Sequence, residues 1–554
     1  MPAPRAKSLL TMKSEKGSVS KRISLVLAVL CAVVMAAVLL IVLAFSDSKT
    51  NPFDYPFSLP MFVSAFLAFA GVVLLLIAGI ARRGRPWRSP IGTFLVLDAA
   101  FLFIQLVVAH SIAYHNIWDP GTVADYAVAV ASGEDAEMFE WYFSLFPNNN
   151  FIATLFVWLA RLSILLGVPP LSMMVSVNVL LVNLAGLLLW LAVKLQSDSW
   201  KIAYLAWAIF SVLGGLSFWI STPYTDTFLL PFISGTLLSA VMIWNADTSR
   251  KRIVAIAICS TCLFLGSLIK PTILVAAVAL SMVALLCIPS SRCGWRQWGK
   301  ALVAFALPAV LCLGILPTVI EDSFPIDVDK SQAMSATHYL MMGANPNEYG
   351  VFSFPDYEIS RGIEEPAERQ KVNLEVFADR MRGFGFAGFL KFEAKKASFV
   401  YGDGTFHALA SGEGQTFSEE NLHAAPFGVV SERLRDLYYY QDGSEFNIAR
   451  ELDQILWMGI LILMPLSLGE YLRQRRGQGG WVILFSMLFY AGVFVFLMMF
   501  ETRSRYLYCF LPLFCFLAVT GLKWLSCYAY SHREFLTRPF SRRITKKKEL
   551  SDEI

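Results

Sequence analysis

Between residues 118 and 150 the chain carries six acids, Asp119, Asp125, Glu134, Asp135, Glu137 and Glu140, and no lysine or arginine. A carboxylate fixed at a membrane surface can take a proton from a hydroxyl delivered to it, the task of a general base. Asp119 is the first to weigh, because it immediately precedes Pro120-Gly121 and so sits in extended or turned backbone. An acid just before a proline at a first helical position is equally a helix start signal, so Asp119 reads both as a cap and as a base. Asp125 falls on the same predicted helix as Tyr126 and reads first as a solvated polar face, while Glu134, Asp135 and Glu137 around Gly133 read as turn charges.

Basic residues far along the chain supply the complementary chemistry. Lys270 interrupts two apolar runs as Ile269-Lys270-Pro271-Thr272, and Arg503 and Arg505 stand in Glu501-Thr502-Arg503-Ser504-Arg505-Tyr506 between the last two apolar stretches. A guanidinium offers paired donors in a fixed fork that suits phosphate. The plainer readings are snorkelling toward lipid headgroups and an Arg503–Glu501 pair. In Thr222-Pro223-Tyr224-Thr225-Asp226, Asp226 reads as a helix cap and Tyr224 as a residue able to line a site.

The elements that must hold these groups are membrane helices. With 56% apolar and only 16% charged residues among 554, the composition exceeds what soluble chains carry. Apolar stretches long enough for a hydrocarbon core of ~30 Å run over 23–45, 60–81, 93–113, 172–193, 202–221, 227–244, 253–269, 272–288, 299–319, 453–470, 480–500 and 506–526, which predicts twelve spans. The first comes after a basic tail, 1–22, without a small-residue cleavage signal and reads as a retained helix.

Basic clusters near Arg5 to Arg22, Arg82 to Arg88, Arg250 to Arg252, Arg292 to Lys300, Arg473 to Arg476 and Arg533 to Lys548 place both termini, including the tail 528–554, in the cytoplasm. The count closes only if 151–168, which carries Arg161 and ends in Gly167-Val168-Pro169-Pro170, does not cross. It reads as a juxtamembrane or re-entrant helix after the external loop 114–150. The membrane domain then covers 23–319 and 453–527, with an α-rich extracytoplasmic segment over 320–452. That segment is too long for an idle loop. It is expected to hold a polar helix over 364–381 and an aromatic-rich interfacial helix over 383–400, with turns at 403–405 and 411–414.

All nine cysteines fall in spans or near the cytoplasmic face, so no disulfide is expected to hold the outer segment, and no Cys/His cluster has metal-ligand spacing. Asp119 and Asp125 sharing a divalent cation stays open, with no other cofactor indicated. Asp98, inside the third span, is an expensive acid that is expected to be protonated or paired with Asn178 or Asn183, and it is the best argument for a transporter.

The ordered motifs resemble the GT-C class of polytopic glycosyltransferases, especially family-39-like mannosyltransferase relatives and Gram-positive membrane proteins of that type. The resemblance spans residues 95–525. It rests on Trp118-Asp119 with Asp125-Tyr126, Tyr142-Phe143 through Phe146-Pro147-Asn148-Asn149, Pro223-Tyr224-Thr225-Asp226, Lys270-Pro271-Thr272, His338-Tyr339-Leu340-Met341-Met342-Gly343 with Gly350 and Asp356, and 501–506. It implies an all-α, GT-C-like plasma-membrane enzyme with a polyprenyl-phosphate-linked sugar as donor, a polysaccharide, glycolipid or protein as acceptor, and inverting transfer. Asp119 would be the base, Lys270, Arg503 and Arg505 the phosphate contacts, and Tyr224, His338 and Asn148 the sugar or acceptor contacts. Better-known members carry an Asp-Glu pair where this chain has Asp119-Pro120. Membrane lipid is an expected partner and nucleic acid is not. The alternatives are a multi-span transporter or flippase, and a surface-polysaccharide ligase or polymerase.

Overall fold

The computed structural model describes residues 5–45, 90–116, 118–287, 295–406, 422–439, 444–475 and 477–531. The expected span 60–81, the turn 411–414 and the C-terminal basic tail beyond 531 lie outside the described residues. Among those described, the secondary structure is helical apart from one isolated bridge, Tyr114 to Leu422. The helices are α1 (Arg5–Phe45), α2 (Pro90–Ser111), α3 (Asp119–Ser132), α4 (Glu140–Leu145), α5 (Asn150–Leu166), α6 (Pro170–Ser197), α7 (Trp200–Leu213), α8 (Thr225–Phe228), α9 (Leu230–Asn245), α10 (Ser249–Ile269) and α11 (Leu274–Cys287). They continue as α12 (Trp295–Val310), α13 (Leu316–Ser323), α14 (Ala336–Gly343), α15 (Phe354–Arg361), α16 (Pro366–Tyr401), α17 (Val429–Tyr438), α18 (Ser444–Leu463), α19 (Ser467–Gln474), α20 (Gly479–Met499), α21 (Arg505–Tyr508) and α22 (Leu511–Ser531).

By length and composition, ten helical stretches among the described residues suffice to cross a membrane. The protein is an all-α, multi-pass membrane protein. Nine of the ten coincide with expected spans. The expected spans at 202–221 and 272–288 are shorter apolar helices, Trp200–Leu213 and Pro271–Cys287. Gly214-Gly215 stop the first, because the glycines lower helix propensity where the backbone turns into a 3-10 segment at Phe218–Ser221. Pro271, lacking an N–H, separates the second from α10.

The tenth stretch, Pro147–Leu166, is the one expected not to cross. Contacts place its ends. The C-terminal end of α6 meets α19, α20 and α22, through Gln196 Nε2 to the Gly479 carbonyl (3.0 Å) and Lys523 Nζ to the Ser197 carbonyl (2.8 Å). Tyr471 donates to Ser24 of α1 (3.1 Å) in the same layer. This is one face of the bundle, where Arg473 and Lys523 pair with the buried Glu470 and Lys194 pairs with Asp198. Near its other end α6 holds Asn178 Nδ2 on the Ile220 carbonyl (2.9 Å), in the layer where Asn149, just before α5, meets Tyr224. Only residues 167–169 join α5 to α6. Both ends of α5 therefore lie on the face opposite Glu470, and Trp158, Leu165 and Leu166 stay exposed along it.

The two helices expected at 364–381 and 383–400 form the single helix α16, interrupted at Gly385, whose φ of 56° and ψ of 178° leave the helical region. Phe386 and Leu390, just after this kink, remain at the surface, but the residues from Phe392 onward do not. Phe392, Ala397, Val400 and Tyr401 are buried where α16 packs on α1 and α20. Tyr401 lies against Tyr490 and Phe494 of α20 (centroids 6.4 and 6.2 Å apart), and Trp457 Nε1 donates to its carbonyl (2.7 Å). Asp98 is paired as expected, accepting from Asn183 (3.4 Å), with Trp207 Nε1 adding a second donor (2.8 Å). Asn178 is committed elsewhere.

Candidate functional site

The turn that starts α3 is fixed by a close approach. A Cβ on Gly121 would stand 1.7 Å from the Asn116 carbonyl oxygen, so only glycine lets the first turn of α3 fold against residue 116. Pro120 at the second helical position pre-sets the backbone, and Trp118 before it is extended, at φ −117° and ψ −162°. Asp119 thus opens α3, half-buried, without capping it by a side-chain hydrogen bond.

A chain of side chains runs into its carboxylate. Tyr224 donates to Asn149 Oδ1 (3.3 Å), Asn149 Nδ2 donates to the Tyr142 hydroxyl (2.8 Å), and Tyr142 donates to Asp119 Oδ1 (3.1 Å). Burial and then the Asp119 charge hold both tyrosine hydroxyls well above the ordinary value, so they remain donors. A carboxylate oriented by a buried donor chain keeps one oxygen fixed and can present the other to a reacting group.

Three loops bring the cations to the same place. Asp226, in the first turn of α8, forms ion pairs with Lys270, which ends α10, and with Arg505, which begins α21 (Arg505 Nε to Asp226 Oδ2 3.2 Å). All three side chains are nearly buried. Asp226 was expected as a cap; two cations from distant loops claim its carboxylate instead, and charge pairing in a buried setting outweighs a cap bond. The Arg505 guanidinium carbon lies 4.2 Å from the Trp118 ring centroid and within 5.5 to 5.8 Å of the Trp219, Tyr224 and Tyr506 centroids. Lys270 Nζ is 4.2 Å from the Tyr506 ring. Such aromatic walls attract and orient cations. Tyr506 donates to Glu501 Oε2 (2.9 Å), and Arg503 approaches Glu501 Oε1 (3.6 Å), the pair weighed as the plainer reading.

The acid and the cations are joined through two residues. Trp118 precedes Asp119 in the chain and stacks on Arg505. Tyr224 both starts the donor chain and walls the guanidinium. Asp119, Tyr224, Lys270, Arg503 and Arg505 are thus gathered at one end of the bundle. Asn148 is one step removed, its Nδ2 on Asn149 Oδ1 (3.3 Å).

Two sequence candidates stand apart. Asp125 bonds His115 Nε2 (2.8 Å) on an exposed face, so Asp119 and Asp125 have different partners. His338 is buried with its Nδ1 on Ser360 (2.7 Å), within a polar core where Asn345 and Arg380 hold Asp356. The carbonyl of its neighbour Tyr339 accepts from the Glu501 N–H (2.8 Å), and burial, then the Glu501 and Asp119 charges, raise the Tyr339 hydroxyl. Among the described residues no group of three or more His, Cys, Asp or Glu gathers as a metal site, and eight cysteines are unpaired.

The residues that sequence reasoning passed over are Trp118, Tyr142, Asn149, Tyr339 and Tyr506. The usable signal was adjacency, since each neighbours or shares a motif with a residue already singled out.

A family model described as "Conserved hypothetical integral membrane protein" matches residues 19–527. No curated protein matches the chain. Among solved structures, the crystal structure of ArnT from Cupriavidus metallidurans bound to undecaprenyl phosphate matches at 14% identity, covering 79% of this chain and 78% of that one, with a TM-score of 0.30. A superposition that loose sets up no residue correspondences.

Proposed function

The chain belongs to the family of conserved integral membrane proteins whose model covers residues 19–527, and from that premise we propose that it is a GT-C-like glycosyltransferase. It moves a sugar from a polyprenyl-phosphate donor to a cell-envelope acceptor at the outer surface of the plasma membrane. The site-bearing face is the extracytoplasmic one, since the basic loops gather at the opposite end. The termini are cytoplasmic, and α5 lies along the outer surface with its apolar residues toward lipid.

One observation carries the reading: a half-buried carboxylate on a donor chain shares the walls Trp118 and Tyr224 with the nearly buried Arg505, which Asp226 joins to Lys270. A base and a phosphate grip placed that close suit displacement at a glycosyl phosphate. Asp119 takes the proton of the acceptor hydroxyl, the acceptor oxygen bonds to the anomeric carbon, and the bond from that carbon to the phosphate oxygen breaks. Its electron pair stays with the phosphate, where Lys270 and Arg505 stabilise the developing charge. A single displacement inverts the anomeric centre. Arg503, beside Glu501 (3.6 Å), is assigned to the phosphate with them, and Tyr224 and Asn148 to sugar or acceptor contacts.

The test is incubation of the purified full chain with a panel of radiolabelled polyprenyl-phosphate sugars, monitoring release of label from lipid. Transfer should fall by ~10²- to 10⁴-fold in Asp119→Asn with expression unchanged. Normal turnover by that variant removes Asp119 as base, no release from any donor refutes the transferase reading, and release of oligosaccharide alone makes the enzyme a ligase.

A further inference from the structure

Asp226 puts a full negative charge on the two cations that a donor phosphate would use. Its two carboxylate oxygens are divided between them, Oδ1 to Lys270 and Oδ2 to Arg505. Asp226 is 3% exposed overall, so water screens little of its field. The cations are held by more than this acid: Lys270 is fixed by the Pro271 turn and the Tyr506 ring, and Arg505 by rings on four sides. A carboxylate needed only for positioning would be redundant here, whereas one that competes with phosphate would sit where Asp226 sits.

We infer that Asp226 is a resident counter-anion that weakens the grip of Lys270 and Arg505 on phosphate, so that the lipid phosphate product leaves. This rests on the reading of Lys270 and Arg505 as the phosphate grip. As the glycosyl bond breaks, the bound group changes from a singly charged diester to a monoester that carries up to two charges. Repulsion from Asp226 rises with that charge, and the product is ejected more strongly than the donor. The cations therefore stabilise the transition state without trapping the lipid monophosphate. Asp226 acts through Lys270 and Arg505 and is a release residue rather than a catalytic one.

The sign of one substitution separates this role from a structural one. With the purified full chain in lipid nanodiscs and a polyprenyl monophosphate as probe, Asp226→Asn should bind the probe at least about tenfold more tightly, since a unit charge beside the phosphate is removed. The donor KM and kcat should fall together, because release becomes limiting. A carboxylate that merely braces the loops predicts the reverse, weaker binding and a raised KM. Arg505→Ala and Lys270→Ala test the underlying reading, and both should weaken the probe. If they do and Asp226→Asn binds equally or more weakly, the counter-anion role is refuted and the grip stands; if neither does, the grip itself is refuted. Should Asp226→Asn not fold, Asp226→Asn with Lys270→Gln removes the pair as a unit. Its affinity should exceed that of Lys270→Gln alone, and equality overturns the inference.

Discussion

Lys396 offers the sharpest test of how the site-bearing loop is held. Its side chain is fully buried, and Nζ donates to the Gly343, Met498 and Phe500 carbonyls, each at 2.8 Å. Burial pulls its pKa below the ordinary lysine value, with the Glu393 and Glu501 carboxylates opposing that pull. One ammonium thus ties α16 to α14 and to the end of α20, from which the chain enters Glu501, Arg503 and Arg505. Gly350 makes room for it: φ is +74°, and a Cβ there would stand 2.7 Å from Lys396 Cε. Lys396→Met keeps the volume and removes the charge, leaving three buried carbonyls unmet at about 1 to 3 kcal/mol each. Relief of the buried ammonium offsets several kcal/mol of this, for a net loss of about 3 kcal/mol. The expected result is a Tm lower by roughly 3 °C in detergent, with faster proteolytic cutting between residues 498 and 505. A variant matching the wild type in both assays would refute the idea that these bonds hold the loop.

Two further outcomes are expected. Tyr142→Phe removes the hydroxyl that links Asn149 to Asp119, so transfer should fall by about tenfold with donor KM unchanged and stability lowered by only about 1 kcal/mol; unaltered kcat would sever the chain from catalysis. Burial drives His338 down to about 4 from 6.5. In that interval the unfolded chain binds a proton that the native chain does not, so stability is full above about 6.5, declines as pH falls and levels off below about 4. The decline from this group is about 3 kcal/mol. His338→Asn should flatten that part of the Tm–pH curve, and an unchanged slope would show that another group sets it.

Much of the fold was legible because apolar length and basic-loop asymmetry are properties of composition that packing does not reverse. The loops that meet were legible for a related reason: acids and cations at span ends are expensive enough to require partners, which singled out Asp119, Lys270, Arg503 and Arg505. Helix phase stayed hidden. Adjacent residues on a helix point about 100° apart, so His338 and Tyr339 go to different surroundings, as do Asn148 and Asn149, and no local signal chooses between them. Tyr142 was hidden because an aromatic in a short apolar helix looks like core. Asp226 looked like a cap because its partners lie 44 and 279 residues away along the chain. The kink at Gly385 was visible as a glycine, but the descent of the next turns beside α1 and α20 depends on packing that sequence alone does not display.

That descent makes α16 a rivet between what is otherwise a loop-side layer and the membrane body. Excised as a soluble fragment, the layer would strip Phe392, Val400 and Tyr401 of their neighbours and aggregate through them. The portion before Gly385 is tied down differently, by polar bonds: Arg369 reaches four carbonyls and Arg380 grips the buried Asp356, so the two arms of one bent helix are held by opposite kinds of contact.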